Sequence, residues 1–274
     1  MADTNVRLDR LLVERGLAED DTQAQRLIMA GQVRVAGQVV AERARKFPAS
    51  AEVTVDTGPR YVSRGGEKLQ AALESFGLLS LDGRVCADVG ASTGGFTDCL
   101  LQHGAARVYA IDVGHGILHW KVRSDPRVQV MERTNARHLE RLPEPVSLCT
   151  IDASFISLKV LLPVVANWLD AGGEIVALIK PQFEAGREEA SKGEGVIRDA
   201  AVHRAVLVDL LSFCAAAGFE AAGLIRSPLR GPKGNVEFLV HLRAGGTKGV
   251  PASEVERWID DVLDAPEQGP DRIA

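Results

Sequence analysis

Helical spacing opens the chain. Leu8, Leu11 and Leu12 fall at i, i+3 and i+4, and Gly16 is placed to end the helix they predict. Asp20, Asp21 and Thr22 are candidate caps for a second helix carrying Ala24, Leu27 and Ile28, closed by Gly31. Alternation then takes over. Val33 and Val35 flank Arg34, Ala36-Gly37 turns the chain into Val39-Val40, and residues 52–55 supply a last short strand. A second run of elements starts with a helix at Glu67-Lys68-Leu69, whose apolar face holds Leu69, Ala72, Leu73 and Phe76. Apolar strands are expected at 85–89, 107–111, 128–131, 147–151 and 174–179, with helices at about 96–103, 158–169 and 199–217 between or after them. Segments 221–225 and 236–242 would form a final antiparallel pair. The pattern predicts a small α+β unit followed by a mostly parallel α/β sheet.

Ligands in such sheets sit beyond the C-terminal ends of the strands. Asp88, Asp112, Asn135, Asp152 and Lys180 all fall there, and five polar groups on one edge are hard to explain as packing. The composition, 46% hydrophobic and 25% charged, is that of a globular protein. Cys86, Cys99, Cys149 and Cys214 form no C-x-x-C pair, which argues against a zinc site or a disulfide framework and for a reducing cytoplasm. The first ten residues are polar, unlike a secretory signal, and no apolar run approaches the roughly 18 residues of a bilayer span. No metal and no membrane partner are expected.

The net charge of −5 weighs against a nucleic-acid ligand until it is located along the chain. Residues 25–47 hold Arg26, Arg34, Arg43, Arg45 and Lys46 against Glu42 alone, whereas residues 245–274 hold three cations against seven acids. An acidic appendage therefore masks a basic N-terminal segment. There, Arg7-Leu8-Asp9-x-x-Leu12 and Arg26-Leu27-Ile28-x-x-Gly31-x-Val33-x-Val35-x-Gly37 resemble the RNA-binding domain of ribosomal protein S-four. Two positions depart from that pattern: Thr22-Gln23 stands where Ser-Arg is usual, and Ala36-Gly37 where Asn-Gly is usual. Thr57-Gly58-Pro59, followed by Arg60-Tyr61-Val62-Ser63-Arg64-Gly65-Gly66, reads as the boundary. The expected domains are 1–57, a linker at 58–66, a second domain at 67–244 and the acidic tail at 245–274, in which Val255, Trp258, Ile259 and Val262 suggest an amphipathic helix.

The strand at 85–89 runs into Gly90-Ala91-Ser92-Thr93-Gly94-Gly95, then a helix from Phe96, then a strand ending at Asp112, the outline of a nucleotide-binding βαβ unit. Its G-x-x-x-G-G spacing differs from the G-x-G-x-x-G of dinucleotide sites, which disfavours an oxidoreductase. An acid before the turn, Asp88, suits a cationic ligand such as S-adenosylmethionine. The segment Asp152-Ala153-Ser154-Phe155 lacks the Pro-Pro-Tyr of amino methylation and the cysteine of pyrimidine carbon methylation. A carboxylate at one strand end and a lysine at another suit hydroxyl activation, provided the lysine is desolvated or lies near a second cation.

The segments Tyr61-Val62-Ser63-Arg64-Gly65-Gly66-x-Lys68-Leu69, Asp88 to Leu101, Ile151-Asp152-x-Ser154-Phe155-Ile156-Ser157-Leu158 and Lys180-Pro181-Gln182-Phe183-Glu184 together resemble the TlyA family over about residues 6–243. That resemblance implies a class I Rossmann-like FtsJ-type fold and 2′-O-methylation of ribosomal RNA within ribosomal subunits, typically at cytidine. It implies a catalytic tetrad of Lys68, Asp152, Lys180 and Glu237. It implies S-adenosylmethionine contacts at Asp88, Gly90, Ser92, Thr93, Gly94, Gly95, Phe96, Asp112, Asn135 and Asp152. Candidate RNA contacts are Arg7, Arg10, Arg26, Arg34, Arg43, Arg45, Lys46, Arg60, Arg64, Arg226, Arg230 and Lys233, and residues 182–198 read as a lid beside Lys180. The alternatives are a non-catalytic ribosome-assembly factor, against which the intact tetrad argues, and a membrane-active haemolysin.

Overall fold

The computed structural model describes residues 4–56, 58–186, 189, 193–245 and 250–265. Thr57 of the expected boundary and Lys248, Glu267, Asp271 and Arg272 of the acidic tail lie outside the described residues, as do five positions of the expected lid. The chain divides into two compact units, Met1–Arg60 and Tyr61–Ala274.

In the smaller unit, β1 (Asn5–Arg7) leads directly into α1 (Leu8–Glu14), and α2 (Asp21–Met29) follows. Asp20 caps α2 by accepting the Gln23 N–H at 2.7 Å. Strands β2 (Val33–Val35), β3 (Gln38–Val39) and β5 (Val53–Val55) form a three-stranded antiparallel sheet in the order β3-β2-β5. Leu8, Leu11, Leu12, Ala24, Ile28 and Val33 make its core. A further pair, β1 with β4 (Lys46–Pro48), was not expected; three-residue strands carry too little alternation to register in sequence.

The larger unit contains α3 (Gly65–Ser75), β6 (Val85–Val89), α4 (Gly95–Gln102), β7 (Arg107–Ile111), α5 (Trp120–Arg123), β8 (Val128–Met131), β9 (Val146–Ile151) and α6 (Leu158–Ala166). It continues through β10 (Leu169–Ile179), α7 (Pro181–Glu184), α8 (Ala200–Ala216), β11 (Phe219–Arg226), β12 (Phe238–Ala244) and α9 (Ala252–Asp264). Seven strands form one sheet in the order β11-β12-β10-β9-β6-β7-β8. The five strands β10-β9-β6-β7-β8 are parallel, and β12 runs antiparallel to both β10 and β11. Helices cover both faces, so the central strand β6 is buried almost throughout.

Several boundaries differ from expectation. Helix α6 stops at Ala166 because Trp168 is drawn into the core, 2% exposed, with its indole N–H on the Leu139 carbonyl at 2.9 Å. Strand β12 begins at Phe238, so Glu237 precedes the strand instead of lying within it. The expected linker is shorter: Tyr61 is buried in the larger unit, its ring packed over Gly66, where a Cβ would lie 2.2 Å from it. The tail is not a bare appendage either. Ile259 and Val262 of α9 are buried in the same core as α8 and β11. All four cysteines are free and buried.

Candidate active site

Strand order reverses between β6 and β9: β7 and β8 continue on one side and β10 on the other. The crevice at such a switch point is where open α/β sheets bind ligands. Here the Asp152 N–H donates to the Val89 carbonyl at 2.8 Å, so the chain leaving β9 lies against the chain leaving β6. Gly90, at φ +84, is required at that crossing, because a Cβ would sit 2.6 Å from the Asp152 carbonyl oxygen. Ser92 also has positive φ (+50), and its N–H is held by Asp112 Oδ2 at 2.8 Å. The other Asp112 oxygen accepts the Gly114 N–H at 2.7 Å.

Asp88, expected at the ligand, has its side chain turned beneath the glycine turn. It is 0% exposed, and its carboxylate accepts the hydroxyls of Thr97 (2.6 Å) and Thr150 (3.0 Å) beneath the glycine turn. Burial pushes its pKa up to about 7, against the opposing effect of those hydrogen bonds. A carboxyl whose folded pKa is raised stabilises the fold most at low pH, and the stability is lost as pH rises towards the folded value. Between pH 5 and 8, wild type should lose roughly 3 kcal/mol relative to Asp88→Asn, from about 1.4 kcal/mol per pH unit up to pH 7. Urea denaturation at the two pH values measures this, and parallel pH profiles would contradict it.

The expected tetrad comes together. Lys180, at the end of β10, places Nζ 2.6 Å from Asp152 Oδ1 and 2.9 Å from Ser154 Oγ. The Lys180 ammonium also lies 5.9 Å from the Phe183 ring centre. Lys68, on the first turns of α3, forms an ion pair with Glu237, and both are buried. Burial pushes the Glu237 carboxyl up and the Lys68 charge opposes it. Gly231 lets the preceding loop cross this pair, since a Cβ there would lie 2.5 Å from Glu237 Oε1.

Two adjoining cavities share Gly90, Ser92, Asp152 and Ser154. The first, about 330 Å³, contains all four tetrad side chains together with Arg64 and Arg230, so cations outnumber its two carboxylates. The second, about 320 Å³, is an apolar slot walled by Ile111, Val113, Ile117, Ala136 and Leu161. Its polar lining includes Asp112, Asn135 and Asp152 and no lysine or arginine. Thr93, Gly95 and Phe96, expected at the cofactor, line the first cavity, and Gly94 lines neither. Gly94 instead accommodates Leu118, which a Cβ would approach to 2.9 Å. Sequence reasoning did not single out Ser154, Thr97 or Thr150 as site residues; each is a small hydroxyl residue whose role appears only when its carboxylate or amine neighbour is known. It also overlooked Phe155, which is 90% exposed at the rim of the slot and 5.0 Å from the Phe183 ring.

The candidate RNA contacts divide. Arg10, Arg26, Arg34, Arg43, Arg45, Lys46, Arg60, Arg64, Arg230 and Lys233 are exposed. Arg7 is not a simple surface cation: its guanidinium forks onto the buried Asp9 at 3.1 and 2.7 Å and holds that carboxyl below its usual range. Arg226 is half-buried and donates to the Ala265 carbonyl at the end of α9 at 2.8 Å, a structural tie.

Residues 61–244 match the FtsJ-like methyltransferase family and residues 6–53 the S4 domain. The 16S/23S rRNA (cytidine-2′-O)-methyltransferase TlyA of Mycobacterium tuberculosis is 42% identical over 268 residues, covering 96% of this chain and 98% of the relative. Hemolysin A of Brachyspira hyodysenteriae is 42% identical over 239 residues, 86% of this chain and 99% of its own length. A solved Streptococcus thermophilus structure, also hemolysin-named, superposes with TM-score 0.70 at 41% identity, covering 95% of this chain and 96% of that one.

Proposed function

The chain belongs to the TlyA family, an S4 domain joined to an FtsJ-like methyltransferase domain, and on that premise we propose that it methylates a cytidine ribose 2′-hydroxyl of ribosomal RNA. The observation that carries this reading is the opposite character of the two adjoining cavities. The slot has two carboxylates and no cationic side chain, which fits a nucleoside that itself carries positive charge. The neighbouring cavity is cationic, which fits an RNA acceptor.

The slot residues fit S-adenosylmethionine: Asp112 for the ribose hydroxyls, Asn135 for the base edge, and the apolar wall for the adenine faces. When bound, that cofactor supplies an activated methyl group on a sulfonium. Lys180 holds the acceptor 2′-oxygen through an N–H, and the hydroxyl proton leaves to solvent water as the oxygen–methyl bond forms. An ammonium has three N–H donors, and Asp152 and Ser154 engage two, leaving one for that oxygen. Asp152 fixes the lysine and faces both cavities, so the reacting partners meet beside it. The Lys68–Glu237 pair lines the same cavity, and its fixed dipole is set there before the acceptor enters. Such a site accelerates mainly by orientation and fixed charge.

Phe155 and Phe183 offer an aromatic face for the target base once it leaves its stack. Phe155 is held at φ +63, a conformation rare for an aromatic residue. Phe155→Ala should raise KM for RNA about tenfold, in line with base–aromatic stacking, while Phe155→Tyr stays near wild type. Steady-state methylation assays would show this, and an unchanged KM for Phe155→Ala would remove the stacking role.

The proposed activity itself is tested by incubating ribosomal RNA from an unmodified source with the protein and S-adenosylmethionine, then mapping the product by mass. A single added methyl group, on a ribose whose linkage resists alkali, is expected. Methylation only on a base, or none, would refute it.

A further inference from the structure

The segment that follows Asp112 presents three large apolar side chains to solvent: Val113 (69% exposed), Ile117 (44%) and Trp120 (73%). Val113 and Ile117 line the slot, where a bound nucleoside would cover them. Trp120 lines neither cavity described above, and among the described residues its ring contact is with His119, at 5.9 Å between centres. Tryptophan is highly buried on average, so an indole left this open needs a reason.

Its surroundings are cationic on the outside. Lys121, Arg123, His115, His119 and Arg133 are all exposed. The neighbouring acids point inward. Glu132, with a side chain 10% exposed, accepts the Gly116 N–H and pairs with His115 and Arg123. Asp98, 4% exposed, takes the Val62 N–H at 3.0 Å and meets Lys121 at 3.4 Å. The segment is also fixed at the edge of the catalytic crevice. The His119 N–H donates to the Thr93 carbonyl at 3.1 Å, and Thr93 lines the acceptor cavity. An exposed indole among cations, anchored at the rim of a site that takes RNA, has the composition of a single-strand stacking platform.

We propose that Trp120, flanked by Lys121 and Arg123, is an RNA-docking surface of the larger unit: an unpaired base near the target stacks on the indole, and adjacent phosphates meet the cations. This rests on the reading of RNA as substrate. A lipid surface would use similar residue types, but of the three exposed apolar side chains in this segment Val113 and Ile117 line the slot, which leaves Trp120 to insert.

The test uses the full chain, ribosomal RNA and S-adenosylmethionine. Trp120→Ala should raise KM for RNA roughly tenfold, equivalent to about 1.4 kcal/mol, and leave the Kd for S-adenosylmethionine in place. Trp120→Phe should stay within about threefold of wild type, whereas Trp120→Leu, apolar without a comparable ring, should behave as alanine does. RNA should also quench the fluorescence of wild type and not that of Trp120→Phe, because Trp168 is buried and Trp258 half-buried. An unchanged KM in Trp120→Ala, or a Kd for S-adenosylmethionine that weakens in step with it, would overturn the proposal. So would loss of binding to anionic vesicles with RNA kinetics intact. Trp120-dependent quenching without any methyl transfer would uphold the docking surface and refute the proposed activity; methyl transfer with equal KM in every variant would do the reverse.

Discussion

Lys180→Ala should lower kcat for methyl transfer about 10³-fold, the scale of losing a positioned proton-handling or charge-stabilising group. The change should leave the fold and cofactor affinity intact. Lys180 does not line the slot, and Asp152, with a side chain 23% exposed, can turn to water when its partner is removed. Arginine should not rescue: its planar fork cannot occupy the position of an ammonium held 2.6 Å from Asp152 and 2.9 Å from Ser154. Single-turnover methylation with saturating RNA separates the chemical step from binding. A loss below about tenfold would place catalysis elsewhere.

Glu237→Ala should be the most destabilising change at the site. It strands the Lys68 charge, whose side chain is only 10% exposed, and breaking a buried pair from one side typically costs about 3–5 kcal/mol. Removing both charges, as Lys68→Met with Glu237→Gln, should recover most of that stability while activity stays lost. Urea denaturation and methylation assays on the same preparations test both halves. If the double variant regained activity along with stability, the pair would be a structural strut alone. If Glu237→Ala denatured like wild type, the burial argument would fail.

These two pairs also show what the sequence could disclose. Asp152 and Lys180 were legible because each ends an apolar strand, and strand ends in an open α/β sheet converge whatever the intervening loops do. Lys68 and Glu237 were not legible in this way. They lie 169 residues apart, one on a first helical turn and one just before an edge strand, and periodicity describes neither as a site. Only the family resemblance singled them out, and the fold then brings them into contact. Asp88 illustrates the opposite case. Its place before the glycine turn suggested ligand contact, but its side chain points under the turn to Thr97 and Thr150, a direction fixed by the neighbouring strand β9.

Charge counting failed in a similar way at both ends of the chain. The acidic C-terminal segment reads as an appendage by composition, yet α9 places Ile259 and Val262 in the main core and holds Arg226 through the Ala265 carbonyl. The basic segments counted as RNA contacts include Arg226 and Arg7, whose guanidinium groups are committed to internal partners. Meanwhile Trp120, Lys121 and Arg123 escaped notice, because a short helix in a loop has no periodicity to announce it. Lys121 and Arg123 have internal partners too, Asp98 and Glu132, so a phosphate there competes with those ion pairs.

The central claim is that Lys180 and Asp152 act on a ribose hydroxyl. The most direct measurement is methyl transfer to two RNA substrates that differ only at the mapped target nucleotide, one carrying the 2′-hydroxyl and the other 2′-deoxy. The account predicts transfer to the first and none to the second, with the deoxy RNA still competing for binding. Methyl transfer to the deoxy RNA at that nucleotide would contradict it.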